Sequence, residues 1–227
     1  VESSSTRLNK YLAHAMGVSR READDLVASG RVTIDGAPVA MGAQVHEQSI
    51  VAVDGKPIDK QSEYQYILFH KPVGYVCSRR AQGENPTIYE LLPKDMSNLK
   101  PVGRLDKDSS GIILLTNDGD FAHRMTHPKF TKTKIYEVSL ETPLEPLHQQ
   151  MISDYGIEIG DGVSKLLLER RSDTRLDWTI TMHEGRNRQI RRTFAALGYT
   201  VTKLHRTQFG PYAVGELNPG EYRTTTA

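Results

Sequence analysis

Gly103-Arg104-Leu105-Asp106-Lys107-Asp108-Ser109-Ser110-Gly111 runs directly into Ile112-Ile113-Leu114-Leu115-Thr116-Asn117-Asp118-Gly119. The first stretch is charged and turn-forming, and the apolar run behind it has the length of a buried strand. A loop joined in this way presents a carboxylate at the rim of a rigid sheet. Asp106, Asp108, Ser110 and Gly111 stand at positions 1, 3, 5 and 6 of an EF-hand calcium loop. Position 12, however, is Asn117 rather than a bidentate Glu, and position 9 is Leu114, which excludes calcium. A bland reading remains beside the functional one, since aspartate shapes turns often.

Around this motif the pattern predicts α+β, with strands and helices mixed without regular βαβ alternation and a largely antiparallel sheet. Strands are expected at 66–69, 75–78, 135–140, 166–169, 178–182, 201–204 and 213–217. Thr87 is placed to cap a short helix through Leu92, and helices are expected at 121–125, 144–152 and 187–197. The loop 79–86 reads as exposed.

The first part of the chain reads as a separate small α/β unit, residues 1–60, followed by a second, 61–227. Leu8, Tyr11, Leu12 and Ala15 form the stripe of an amphipathic helix stopped at Gly17. Ser19-Arg20-Arg21-Glu22 is a capping box opening a second helix, with Ala23, Leu26 and Val27 inward and Gly30 beyond its end. Asp35-Gly36 signals a hairpin, and Ile50–Val53 precedes Asp54-Gly55. Lys56 to Gln65 reads as a linker.

Composition narrows the class further. No run of apolar residues is long enough for a membrane span, and Val1–Thr6 lacks the features of a signal peptide. The start at Val1, without methionine, and the stop at Ala227 in a Thr-rich run read as trimmed ends. The single cysteine, Cys77, forms no internal disulfide and fits a reducing cytoplasm. Net charge is +1, so nucleic-acid binding must come from clustered charge on one face; residues 1–60 carry 7 Lys+Arg against 8 Asp+Glu. His123 and His127 are spaced i, i+4, but neither a glutamate nor a third ligand accompanies them, so no zinc site is expected.

The motif at 103–119 resembles the central motif of ribosomal RNA pseudouridine synthases of the RsuA/RluB/RluF type. The pattern Arg-Leu-Asn-Lys-Tyr-Leu-Ala at 7–13, Ser-Arg-Arg-Glu-Ala at 19–23 and Ser-Gly-Arg-Val at 29–32 resembles the alpha-L RNA-binding domain. The resemblance implies isomerisation of a uridine to pseudouridine without cofactor or metal. It makes Asp106 catalytic, Tyr136 the residue that stacks on the target base, and Arg191 the basic partner of Asp106. It also gives Lys71, in His-Lys-Pro-Val-Gly, a supporting place in the active-site framework. Without it, a strand tyrosine such as Tyr136 is ordinarily sheet packing, and arginines such as Arg188 and Arg192 are ordinarily solvated surface.

The resemblance also implies that Arg104 fills the gap left by a flipped uridine, while Arg188 and Arg192 are expected to contact phosphate. In the first unit, Lys10, Arg20, Arg21 and Arg31 lie near helix ends, where side chains and free amide donors meet phosphates together. The expected partner is ribosomal RNA or an assembling ribosome, met by a cytoplasmic monomer. Arg186-Asn187-Arg188-Gln189-Ile190-Arg191-Arg192 resembles large-subunit enzymes more than small-subunit ones, so 23S RNA is the expected target. Small-subunit RNA, transfer RNA and a non-catalytic RNA-binding assembly factor are the alternatives.

Overall fold

The computed structural model describes residues 5–58, 63–79 and 83–227, and the chain divides into two compact units after Gln65. The segment read as a linker and the loop 79–86 lie partly outside the described residues.

The first unit packs α1 (Leu8–Met16) and α2 (Arg20–Ala28) on small sheets. β1 (Thr6–Arg7) pairs with β4 (Gln44–Val45), while β2 (Val32–Ile34), β3 (Ala37–Pro38), β5 (Val51–Val53) and β6 (Lys56–Pro57) form a sheet in the order β3-β2-β5-β6. Both helix faces meet the strands in one core, where Leu8, Leu12, Ala23 and Val27 bury against Val32, Val45, Val51 and Val53. Gly17 closes α1 in the left-handed conformation. The Ser19–Glu22 box forms as read, with the Ser19 amide donating to Glu22 Oε2 at 2.7 Å and the Glu22 amide to Ser19 Oγ at 3.1 Å. At both Asp-Gly turns the two residues take positive φ, which a tight hairpin requires. One of these turns makes Lys56–Pro57 a strand paired with β5, not linker.

The second unit is built on one large sheet. Its strands are β7 (Tyr66–Lys71), β8 (Lys100–Val102), β9 (Ser110–Thr116), β10 (Lys134–Leu140), β13 (Leu167–Arg170), β14 (Asp177–Met182), β15 (Val201–Phe209), β16 (Tyr212–Ala213) and β17 (Tyr222–Thr224). They run β13-β14-β10-β15-β9-β7-β17, with β8 on β9 and β16 on β15. A small hairpin, β11 (Ile157–Glu158) with β12 (Val163–Ser164), stands apart. The helices are α3 (Gly119–Thr126), α4 (Pro146–Gln150) and α5 (Gln189–Ala195).

The apolar run Ile112–Leu115 is continuous because β9 is buried on both faces. Ile113 and Leu115 enter the main core with Trp178, Phe194 and Ile180, whereas Ile112 and Leu114 pack on the other face against Phe121, Met125 and Phe209. Asp118 caps α3 by accepting from the amides of Asp120 and Phe121, so strand and helix join without slack.

Among the described residues every pairing in this sheet is antiparallel except one. β9 and β15 run parallel and pair at Ser110–His205 and Arg206–Gly111; further along, the same edge of β9 takes β8 instead. The sheet therefore forks, and the loop 103–109 leaves from that fork. Gly111 sits at the joint with φ +115, and a Cβ there would lie 2.2 Å from the Arg206 carbonyl oxygen.

Several elements differ from the sequence pattern. Tyr75–Ser78 is not a strand: beyond the bridge from Val76 to Thr87, the Val76 amide donates to Pro86 O and Val76 O accepts from the Ile88 amide. The expected helix at 144–152 is α4 continued by a π-helical turn, Met151–Tyr155, closed by Gly156. Arg188, expected inside a helix, stays outside α5 with φ 47. The expected strand at 213–217 ends at Ala213, because Gly215 turns the chain at positive φ. β17, which the sequence did not signal, closes the sheet against β7.

Candidate active site

A cleft of about 700 Å³ opens at the fork. The 103–109 loop supplies Arg104, Asp106 and Lys107; β10 supplies Lys134 and Tyr136; β15 supplies Arg206 and Phe209; the approach to α5 supplies Arg186 and Arg188.

The loop is pinned from several sides. Gly74 donates its amide to Lys107 O at 2.7 Å, the Leu105 amide reaches Cys77 Sγ at 3.4 Å, and Arg191 Nη2 donates to Asp108 O at 2.9 Å. Beneath it, the fully buried Lys71 donates from Nζ to Ser109 O at 2.6 Å and to Pro72 O at 2.9 Å. Burial pushes the Lys71 amine down to about 8, against the pull of Cys77, Asp106 and Asp108. Between pH 8 and 10.5 the folded state therefore holds fewer protons at Lys71 than the unfolded chain, and this group's contribution to stability rises with pH. Relative to Lys71→Met, the wild type is expected to gain about 1 to 3 kcal/mol across that window, measured by denaturant unfolding at several pH values. A flat difference would refute the shift.

The carboxylates face a pair of arginines. Arg188 forks onto Asp108, with 3.1 Å from Nη1 to Oδ1 and from Nη2 to Oδ2, and its Nη1 stands 3.6 Å from Asp106 Oδ2. Arg191 sends Nε to within 3.4 Å of Asp108 Oδ2 and Nη1 to Val201 O. Partial burial works against the charge on Asp108, but the Arg188 hydrogen bond and both guanidinium charges outweigh it and hold its carboxyl below the usual range. Asp106 keeps about a third of its side chain exposed and faces the cleft.

Of the two arginines, Arg188 makes the ion pair with Asp106, while Arg191, expected as its basic partner, bonds to the loop at Asp108. Arg192, expected to contact phosphate, donates to Asp161 Oδ2 at 2.8 Å and to Ile159 O at 2.9 Å, and with Arg186 it grips the β11–β12 hairpin. Arg104 is exposed at the cleft wall and Tyr136 is buried beside it, 8 % exposed.

Three cleft residues escaped the sequence reading. Lys134 precedes Tyr136 by two positions on the same strand face, and Arg206 lies opposite Tyr136 on β15; face alternation and register are the signals that find them. Burial, together with the Arg206 charge, pushes the Lys134 amine down to about 8. Cys77, read as a core residue, lines the cleft, and burial raises its thiol.

In the first unit, Arg20 and Arg21 are exposed on the opening turn of α2, and Lys10 is half-buried on α1. Two cations at the positive end of a helix are locally unfavourable, and an anionic partner reverses that cost. Arg31 is otherwise engaged, its guanidinium forked onto Asp54. Changing Arg20 and Arg21 together to Ala is expected to weaken RNA binding and lower the slope of log affinity against log salt by about 1 to 2. An unchanged slope would make them ordinary surface.

Comparison with known proteins identifies the family. Residues 65–196 match the model of the RNA pseudouridylate synthase family. The chain belongs to that family. Residues 6–48 match the S4 domain, so an RNA-binding module precedes the synthase domain. A crystal structure of a pseudouridylate synthase superposes with TM-score 0.69 at 34% identity, covering 97% of this chain and 96% of that one. The ribosomal small subunit pseudouridine synthase A of Vibrio cholerae is 38% identical over 97% of this chain and 96% of its own length. The Escherichia coli protein of the same name is 36% identical over the same shares. An RNA pseudouridine synthase of Aquifex aeolicus is 36% identical over 96% of this chain and 89% of its own length.

The chain is a pseudouridine synthase, an isomerase acting on RNA. The large-subunit target expected from Arg186–Arg192 is overturned by relatives named for the small subunit. That expectation rested on the likeness of one short motif, whereas these relatives match along nearly the whole chain.

Proposed function

We propose that this synthase converts a uridine of small-subunit ribosomal RNA to pseudouridine, with Asp106 as nucleophile. The observation that carries the substrate is the near-full-length likeness to enzymes of that name. The reaction breaks the bond from ribose C1′ to uracil N1 and makes one from C1′ to C5; N1 gains a proton and C5 loses one. A carboxylate nucleophile divides this exchange into easier steps, and the cleft has room for a uridine swung out of the stack.

Each neighbour of Asp106 has a distinct task. Arg188, with Nη1 3.6 Å from Asp106 Oδ2, orients the carboxylate, and Arg191 fixes the loop that carries it. Tyr136 offers a ring for the extruded base, and Arg104, at the mouth, fills the space the base leaves. The S4 domain anchors the RNA by its phosphates, with Arg20 and Arg21 forward.

The test is tritium release from carbon 5 of labelled uridine in separate small- and large-subunit RNA. Release from small-subunit RNA alone is expected. Release from large-subunit RNA alone would sink the assignment.

A further inference from the structure

Lys134 and Arg206 make an unusual pair. Both line the cleft, and both stand over the ring of the buried Phe209, Lys134 Nζ at 5.7 Å from the centroid and the Arg206 guanidinium carbon at 4.8 Å. Arg206 is 3 % exposed. Its Nε and Nη2 both donate to Ile112 O, at 2.9 and 2.7 Å, and Nη1 has no protein acceptor among the described residues. Lys134 donates to the Glu184 backbone carbonyl at 3.0 Å. The Glu184 carboxylate belongs to Arg186 and Gln189, so neither cleft cation forms an ion pair among the described residues. A buried cation beside a half-buried one of like sign is costly unless an electron-rich partner joins them.

Their position says which part of the substrate that partner is. Lys134 shares the strand face of Tyr136, and Arg206 is its cross-strand neighbour. On the reading of Tyr136 as the ring that receives the base, both cations stand at the base's edge. The base is the deepest part of an extruded nucleotide, and its phosphates stay toward the rim, where Arg104 is exposed. We propose that Lys134 and Arg206 donate to the carbonyl oxygens of the target uracil and stabilise the negative charge that gathers there during the exchange. The charge develops in either course: when C1′–N1 breaks, uracil keeps the bonding pair, and when a nucleophile adds to the ring, the pair moves onto the carbonyl system. The same donors disfavour cytosine, which presents an amino group in place of O4.

The test compares Lys134→Met with wild type on whichever ribosomal RNA the wild type modifies, once with uridine and once with 5-fluorouridine at the target. Fluorine withdraws electrons and leaves less charge for the protein to stabilise. We expect kcat on uridine to fall about 100-fold, as when one preorganised donor to developing charge is lost, with RNA affinity changed less than about 3-fold. The deficit for consumption of 5-fluorouridine, followed by chromatography of digested RNA, is expected to shrink to about 10-fold or less. Equal deficits on both RNAs, or a loss carried by RNA affinity, would overturn the proposal, the latter in favour of a phosphate clamp. Should Lys134→Met fail to fold, Gly185→Ala replaces it. The added Cβ would lie 2.9 Å from Lys134 Nζ and crowd the amine aside without removing its charge, and the same dependence on fluorine is expected in smaller measure. Because the RNA is chosen by wild-type turnover, a wrong subunit assignment leaves this test intact.

Discussion

Asp106→Ala is expected to reduce tritium release by about 10⁴-fold or more while RNA affinity stays within about 3-fold of wild type. The separation follows from the geometry. Asp106 supplies a partly exposed carboxylate to the cleft, whereas the loop around it is held by Lys71, Gly74, Cys77 and Arg191, none of which bonds to the Asp106 side chain. Arg188 keeps its two-pronged contact with Asp108 in the variant, so no bare guanidinium is left in the protein. Electrophoretic mobility shift and single-turnover assays on the same RNA measure the two quantities. Retained turnover would remove Asp106 from the chemistry. A collapse in affinity would instead make it an anchor for RNA.

Gly111→Ala is expected to cost about 4 kcal/mol or more, most of the stability of a domain at the low end of the usual range. Two independent penalties meet there. A φ of +115 is strained for any side chain, and the new Cβ would fall 2.2 Å from Arg206 O and 2.5 Å from Arg206 N, backbone atoms that cannot rotate away. Relief requires β9 and β15 to separate at their two paired positions, which would release the carbonyl-bound Arg206 and the loop ending at Ser110 together. Denaturant unfolding or expression in soluble form measures the effect. A stable, active Gly111→Ala protein would mean that the joint yields cheaply.

What the sequence made legible was local. The Ser19–Glu22 box, the left-handed stop at Gly17, the two Asp-Gly turns and the run Ile112–Leu115 are each set by residues within a few positions of one another, and each forms. The synthase fold and the RNA-binding module were legible through motif resemblance. The partners of the arginines were not. Helical spacing around Ile190 tells which way a side chain leaves α5, but not that Asp161 waits on a hairpin to take Arg192, or that Asp108 takes Arg188. Tyr75–Ser78 misled for a related reason. Its composition suits a strand, yet its hydrogen-bond partners are Pro86 and Ile88, at the start of the next turn of chain. Lys134 and Arg206 stayed hidden because their meaning depends on the register of β10 with β15.

The pairing of β17 with β7 carries a consequence for how the protein is made. Tyr222–Thr224 lies along Ile67–Phe69, and the His70 backbone is held by the Glu221 carbonyl and the Gly220 amide. β7 ends at Lys71, the amine beneath the active-site loop. On the ribosome β7 emerges long before its outer partner, and an unpaired edge strand invites intermolecular pairing. The sheet edge that supports Lys71 is completed only when the 222–224 segment has been synthesised, so nascent chains halted before that point are the species most exposed to aggregation.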